Sequence, residues 1–282
     1  MTNLLKKLVL LTLLISVMYS CEKDEETEDT KGNVTVQLTD APFPFAFVSE
    51  ANISIAKIEL KNADGDYVVL FESTTSTSYN LLDYTNGATA SVATNSIATG
   101  TYSHAKVTLA GASVVMNGNV SDGGNENTIF DFNSETNDSY EIAIEPQLEV
   151  EEGSESNVLF DVDVNETFSF TTSSILIDGW FDFITQISGC DFNPTIRVCD
   201  LDKTGKVTGT VTLDGTNYEN AQVTIVVNGD EISAHTEEDG TYTFIGINTG
   251  TYEVEVSIAN QETQRVQVTV TGTDTATGNF SF

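Results

Sequence analysis

Few side chains in this sequence could carry chemistry, and their spacing narrows the choice further. The two histidines, His104 and His235, fall in strand-like stretches of different domains. A Ser-His-Asp site needs a loop-borne His beside an activated Ser, and no Gly-x-Ser-x-Gly elbow occurs. Both histidines read as ordinary strand residues, and no catalytic residue is assigned. The single tryptophan, Trp180, lies in a run whose alternation puts Ile175, Ile177, Phe181 and Phe183 on one face. Trp180 then shares the other face with Asp178 and Asp182. An indole flanked by carboxylates is what a sugar platform uses, and packing under a loop is the competing reading. Asp161, Asp163 and Asn165 alternate with Phe160, Val162 and Val164, which reads as a solvated strand face, with a Ca²⁺ site as the alternative. Asp200-x-Asp202-x-Thr204-Gly205 begins like a calcium loop, but Val211 stands where the bidentate Glu is needed. That stretch reads as a turn between domains, and no cofactor is implied.

The three cysteines divide into one and two. Lys6 and Lys7 precede an apolar run over residues 8–18, too short for the ~20 apolar residues that span a bilayer but right for a secretory signal. Val17-Met18-Tyr19-Ser20-Cys21 resembles a bacterial lipobox of the loose kind frequent in lipoproteins of the Bacteroidota. The resemblance implies cleavage before Cys21 and acylation of its thiol. Cys190 and Cys199, with Asn193-Pro194 bending the chain between them, are then left as a disulfide pair for an oxidising compartment. No Cys-x-x-Cys spacing or nearby His makes a metal site of them. After Cys21, Glu22-Lys23-Asp24-Glu25-Glu26-Thr27-Glu28-Asp29 has no apolar group to drive packing, so residues 21–32 read as an acidic tether that also resembles a lipoprotein export signal.

From Asn33 onward the periodicity is that of β-strands. Val34, Val36 and Leu38 alternate with polar residues; Ile53, Ile55, Ile58 and Leu60 continue with a phase change near Ala56-Lys57 that predicts a bulge. Asp64-Gly65 turns the chain into residues 67–71, and further strands are predicted over 102–116, 128–132, 140–144, 158–170 and 174–187, with a short helical turn near 79–84. Leu201-Asp202-Lys203-Thr204-Gly205 marks a composition shift, followed by short, evenly spaced strands and a hairpin signal at Asn228-Gly229. The prediction is an all-β chain: a β-sandwich or partly closed barrel over 33–200, then a smaller sandwich over 205–282, behind a signal peptide at 1–20.

Val36-Gln37-Leu38-Thr39-Asp40-Ala41-Pro42, Ile53 to Leu60, Tyr79-Asn80-Leu81-Leu82-Asp83, Asn86-Gly87 and Ile97-Ala98-Thr99-Gly100-Thr101-Tyr102 occur in an order that resembles the bacterial lipoprotein family called domain of unknown function 4382. The resemblance runs over residues 33–116 and thins towards Cys199; it implies a fold and an envelope location, not an activity. Asp239-Gly240-Thr241-Tyr242-Thr243-Phe244 and Gly250-Thr251-Tyr252-Glu253-Val254 resemble the carboxypeptidase regulatory-like, transthyretin-like sandwich, which implies a spacer or interaction module. The Lys–Asn isopeptide of some related sandwiches would here join Lys206 to Asn279. Core phase falls instead on Val207, Gly209, Val211, Leu213, Phe280 and Phe282, leaving both candidates outside.

Charge excludes one large class of partner. The chain of 282 residues carries 43 Asp+Glu against 11 Lys+Arg, a net charge of −32. Nucleic-acid binders need a cationic stripe, which eleven bases do not make. Removal of residues 1–20 takes away Lys6 and Lys7 and no acid, leaving net −34 and repulsion from anionic lipid. The expectation is therefore a non-catalytic lipoprotein of the outer membrane, anchored through Cys21 and displayed at the cell surface. It would bind a glycan or another envelope protein. A fimbrial or adhesin subunit is the second reading and an enzyme the third.

Overall fold

The computed structural model describes residues 30–41, 48–116, 128–132, 139–176 and 183–282. The first domain comprises β1 (Lys31–Ala41), β2 (Val48–Lys61), β3 (Tyr67–Asn80), β4 (Ala90–Ala98), β5 (Gly100–Met116), β6 (Thr128–Asp131), β7 (Ser139–Val150), β8 (Glu155–Asp163), β9 (Phe168–Leu176), β10 (Phe183–Phe192) and β11 (Ile196–Asp200). The predicted helical turn is a 3-10 turn over Leu81–Tyr84. The main sheet runs β3-β2-β5-β7-β11-β8-β1-β4, with β6 added to β5. Its end strands meet where the Asn95 side-chain amide donates to the Leu70 carbonyl at 3.2 Å, so the sheet curls into a nearly closed barrel. Two neighbouring pairs, β1 with β8 and β7 with β11, are parallel; the other neighbours are antiparallel.

Alternation along these strands builds the interior. Val36 and Leu38 of β1 stand opposite Val158 and Phe160 of β8 inside the barrel, with Val34 and Val162 buried at either end of the same run. On β2 the inward set is Ile53, Ile55, Ile58 and Leu60, and the phase change falls where the register slips between Ile55 and Lys57 against both neighbours. The extra residue lets both halves of the strand face inward. Tyr102 is buried, and its hydroxyl donates to the Ala98 carbonyl at 2.9 Å, satisfying the one polar atom that ring brings inside.

Two predicted strands are each broken in the structure. Residues 158–170 are not continuous: α1 (Val164–Thr167) interrupts them, begun by the Asp163 carboxylate accepting from the Glu166 amide at 3.0 Å. The buried Asp40 carboxylate also accepts from the Val164 amide at 3.2 Å. This is N-cap chemistry that apolar alternation conceals. Residues 174–187 are likewise not one strand, because β9 and β10 fold back as an antiparallel pair with Ile175 opposite Ile184 and Leu176 opposite Phe183. At the base of this arm Phe132, Phe168 and Phe192 pack with ring centroids 5.3 to 5.9 Å apart. Strands β4 and β11 carry too few apolar alternations to be predicted.

A 3-10 turn at Leu201–Lys203 leads into the second domain. It contains β12 (Gly205–Leu213), β13 (Thr216–Asn217), β14 (Gln222–Val227), β15 (Asp230–His235), β16 (Thr241–Ile247), β17 (Gly250–Ser257), β18 (Gln264–Val270), β19 (Thr275–Thr277) and β20 (Phe280–Ser281). One sheet centres on β12, flanked by β16 and by β13, β19 and β20; the other runs β15-β14-β17-β18. Asn228 and Gly229 have φ of 55° and 101°, the left-handed pair that a type I′ hairpin requires between β14 and β15. Val207 and Val211 point into the core, while Lys206 and Asn279 are exposed. Asn279 accepts from the Thr210 amide at 2.9 Å, in keeping with the isopeptide being rejected on periodicity.

The tightest approach in this sandwich is at Gly209, where an added Cβ would fall on the Gly278 carbonyl and lie 2.7 Å from the Tyr242 ring. That same carbonyl accepts the buried Tyr242 hydroxyl. Gly209→Ala should lower stability by about 1–3 kcal/mol or more through overpacking, read as a fall in the urea midpoint with the m-value unchanged.

Candidate functional site

Strand register lays out the outer face of the barrel. Across β3, β2, β5 and β7, one row reads Glu72, Lys57, Thr108 and Ser139; the next reads Val69, Glu59, Lys106 and Glu141; a third reads Tyr67, Lys61, His104 and Ala143. Three lysines and three glutamates thus alternate on one sheet face. Lys57 Nζ lies 3.0 Å from one Glu59 oxygen and Lys106 Nζ 2.9 Å from the other. Burial alone would raise the Glu59 carboxyl, but hydrogen bonds from Lys106 and Lys57 hold it below the usual carboxylate range. The bond to Glu59 in turn raises Lys57. Lys106 also sits 4.6 Å above the Tyr67 ring centroid, and Lys61 bonds Glu141 at 3.0 Å.

This face is concave. Between Lys57↔Glu72 and Ile55↔Thr77 the β2 strand has one residue and β3 has four, so residues 73–76 bulge outward as a blister. The blister closes on itself, the Ser73 hydroxyl donating to the Thr75 carbonyl at 2.6 Å and accepting from the Thr75 amide at 3.2 Å. A trough of about 490 Å³ results, walled by Glu72, Ser73 and Thr74 and floored by Glu59, Thr108 and the small Ala56 and Ala110. Glu59 and Thr108 face outward yet are only 8% exposed, which a flat sheet would not produce. The trough offers ammonium, carboxylate and hydroxyl groups within one recess. Its Thr108 and Ser139 hydroxyls bond each other at 2.8 Å.

A second feature lies where the domains meet. Arg197 on β11 stands opposite Asp161 on β8, and its Nη2 donates to Asp161 Oδ2 at 2.6 Å. The same guanidinium reaches into the second domain, donating to the Ile245 carbonyl at 3.1 Å and to the Gly246 carbonyl. Burial opposes the charge, but Asp161 more than restores it and raises the guanidinium pKa. Leu159, Cys199 and Ile245, all buried, form an apolar cluster across the junction with Leu201 beside it. Gly246 has φ +68°, and a Cβ there would lie 2.7 Å from Leu159 Cδ2 and 2.9 Å from Cys199 Sγ. Asn86 adds bonds from its amide to the His235 carbonyl at 2.9 Å and to Glu237 at 2.5 Å. Beside the junction a crevice of about 270 Å³ is lined by Asp161, Asp163, Glu166, Asp230 and Glu231.

The sequence-predicted site residues are scattered differently. Cys21, Asp178, Trp180 and Asp182 lie outside the described residues. Asp161 and Asp163 do share a strand face, but Asn165 is in α1, Asp161 is held by Arg197, and Asp163 caps the helix. Among the described residues no group of three or more His, Cys, Asp or Glu is arranged to hold a metal ion. Asp200 accepts from the Asp202 amide at 3.1 Å within the connecting turn.

The expected disulfide is also corrected: Cys190 and Cys199 are free thiols. Cys199 is committed to the junction, its sulfur 3.9 Å from the Gly246 carbonyl, while Cys190 sits on the β10 arm and donates to the Asp191 carbonyl at 3.7 Å. Burial pushes Cys190 up to about 12 and Cys199 up to about 11. Neither Arg197 nor the trough was singled out from sequence. The alternation Lys57-x-Glu59-x-Lys61 beside the phase change was the available signal for the trough.

Two outcomes follow from these contacts. Arg197→Met leaves Asp161 and two carbonyls without their donor, so it should cost about 3–5 kcal/mol and split unfolding into two calorimetric transitions, with Arg197→Lys failing to restore one. At pH 8 iodoacetamide should leave Cys190 and Cys199 unmodified in the folded chain and label both in denaturant. A Cys190–Cys199 cross-linked peptide in a non-reducing digest would refute the free-thiol assignment.

Residues 31–174 match the model of a family described as Domain of unknown function (DUF4382), and residues 206–282 match that of the Carboxypeptidase regulatory-like domain. A search of curated proteins finds no match. Among solved structures, the Bacillus anthracis TIE protein is 14% identical, with 90% of this chain and 34% of that one covered and a TM-score of 0.25. A leucine-rich repeat protein from Bacteroides thetaiotaomicron is 14% identical over 90% and 26% of the two chains, with a TM-score of 0.19. BcpA, the major pilin subunit of Bacillus cereus, is 10% identical over 88% and 99%, with a TM-score of 0.22. The chain spans about a third and about a quarter of the first two, and superpositions at this level carry no argument about fold or function. The first family match begins with β1, ends within β9 and takes in just over half of the 282 residues, so the chain belongs to the DUF4382 family.

Proposed function

We propose that this protein is a non-catalytic, lipid-anchored module of the bacterial cell envelope that binds a partner at the surface of its barrel. The observation that carries the binding role is the trough on the outer face, a recess in which ammonium, carboxylate and hydroxyl groups stand side by side. Its Lys57, Lys106 and Glu59 are matched in ion pairs that keep them charged, which suits recognition better than proton transfer. Of the histidines, His104 lies one row away on β5 with Nδ1 3.0 Å from the Ser103 hydroxyl, and His235 is in the other domain. The second domain, locked to the barrel through Arg197, acts as a spacer of fixed orientation.

The anchor rests on the signal-like segment before Cys21 and the acidic tether after it. With a net charge of −34 after cleavage the folded part has no electrostatic affinity for anionic lipid, so attachment depends on acyl chains at ~0.8 kcal/mol per buried CH₂. Cells expressing the full chain should incorporate labelled palmitate into it and carry it in the outer-membrane fraction. The Cys21→Ser chain should take up no label and leave that fraction. Equal labelling of the two chains would refute the anchor, and resistance of the wild-type chain to protease added to intact cells would refute outward display.

A further inference from the structure

We infer that the trough on the β3-β2-β5-β7 face is a binding site for a neutral glycan bearing adjacent free hydroxyls; this rests on the proposed binding role and names its ligand class. The recess is built rather than incidental. A bulge in β2 and the four-residue blister in β3 fall at the same height, and such irregularities bend a sheet and re-aim its side chains. Without them Lys57 and Glu72 would stand on a flat face, and Glu59 and Thr108 would not form a sheltered floor.

Donors and acceptors in the recess suit hydroxyl groups. Each ammonium has three N–H donors, and Lys57 and Lys106 each direct one at a different oxygen of Glu59. Each carboxylate has about four lone-pair sites, so Glu59 and the exposed Glu72 keep acceptors for a ligand. A sugar hydroxyl both donates and accepts, and two adjacent ones can bridge a neighbouring ammonium and carboxylate. Ala56 and Ala110 keep the floor low enough for a ring. The Tyr67 ring is already covered by Lys106, so recognition relies on hydrogen bonds rather than stacking.

Charge decides between sugar classes. Lys57, Lys61 and Lys106 balance Glu59, Glu72 and Glu141 locally, while the chain as a whole carries −32. A polyanionic glycan would meet repulsion on approach and no net positive charge on arrival; a neutral one meets neither obstacle.

Affinity electrophoresis of the full chain in mild detergent tests this, with dextran, mannan, galactan and xylan as neutral probes and polygalacturonate as the acidic one. At least one neutral polysaccharide should retard the chain, and about 0.5 M salt should not abolish the effect. Lys57→Met and Glu72→Gln should each raise the dissociation constant about tenfold. Thr74→Trp, at an exposed position on the wall, should abolish retardation by filling the recess while leaving the ion pairs in place. Thermal unfolding of each variant checks folding, and Lys206→Met on the other domain should change nothing. Undiminished retardation in all three trough variants overturns this site while the binding role stands. Retardation by polygalacturonate alone, lost in salt, overturns the neutral ligand. Absence of retardation in every gel overturns the glycan, and the binding role then falls only if envelope-protein capture by the wild-type chain also fails.

Discussion

One guanidinium, with the Asn86 bonds beside it, sets how the two domains meet. Arg197 is fixed at its base by the β11–β8 register and at its tip by three acceptors, one in its own domain and two in the next. Its side chain is 14% exposed and that of Asp161 12%, so both charges have lost most of their hydration. An ion pair this sheltered is weak evidence for net stability, because desolvation offsets much of the attraction. What it supplies is direction. A planar fork bonding a carboxylate and two successive carbonyls fixes distance and rotation together, which a lysine ammonium would not. The Leu159–Cys199–Ile245 contact alone would leave the domains free to slide, since apolar contacts have no preferred angle. Gly246 completes the constraint, its absent side chain being the space that Leu159 and Cys199 fill.

The junction and the trough are connected through the barrel. Strands β11 and β8, which carry the junction, stand two and three places from β5 along the sheet, and β7 links them to the trough face. Because β7 pairs with β11 in parallel and β5 in antiparallel fashion, any rotation of the second domain about Arg197 would be felt as shear at Ile144 and Val198. Both side chains are buried in a close-packed core that resists such shear. The trough is thereby presented at a fixed angle to the second domain.

Much of the architecture was legible in the sequence because a half-buried strand must alternate. Val34, Val36 and Leu38, the slip at Ala56-Lys57 and the Asn228-Gly229 turn are all local signals, and the structure places each where the local chemistry requires. What escaped was set by tertiary partners. The turn at Val164 looks apolar enough to continue a strand, but buried Asp40, far away in sequence, accepts its amide. The β9–β10 reversal keeps an alternating pattern on both arms, so periodicity cannot register that the chain has turned back. The four-residue blister is a run of Ser and Thr that would suit a strand equally well. Arg197 looked like one of two ordinary arginines, since nothing near it in sequence reveals that Gly246 will stand beside it. The cysteines looked paired because spacing says nothing about which way a sulfur faces.

The scarcity of bases makes their positions informative. Beyond Lys7 the sequence has nine, and among the described residues six are in ion pairs: Lys57, Lys61 and Lys106 on the trough face, Arg197 at the junction, Lys203 with Glu149 at the connecting turn, and Arg265 with Glu255 on β17–β18. Exposed pairs contribute little stability individually, about 0–1 kcal/mol each, so this placement is not explained by folding energy alone. Its larger effect is on the field of the protein. Most acids elsewhere are solvated, buried Asp40 and Asp200 excepted, and set a negative potential that the few bases cancel locally. Lys57 and Lys106 line the trough and Lys61 stands one row away on the same face, so the negative potential of the chain is offset there by three neighbouring bases.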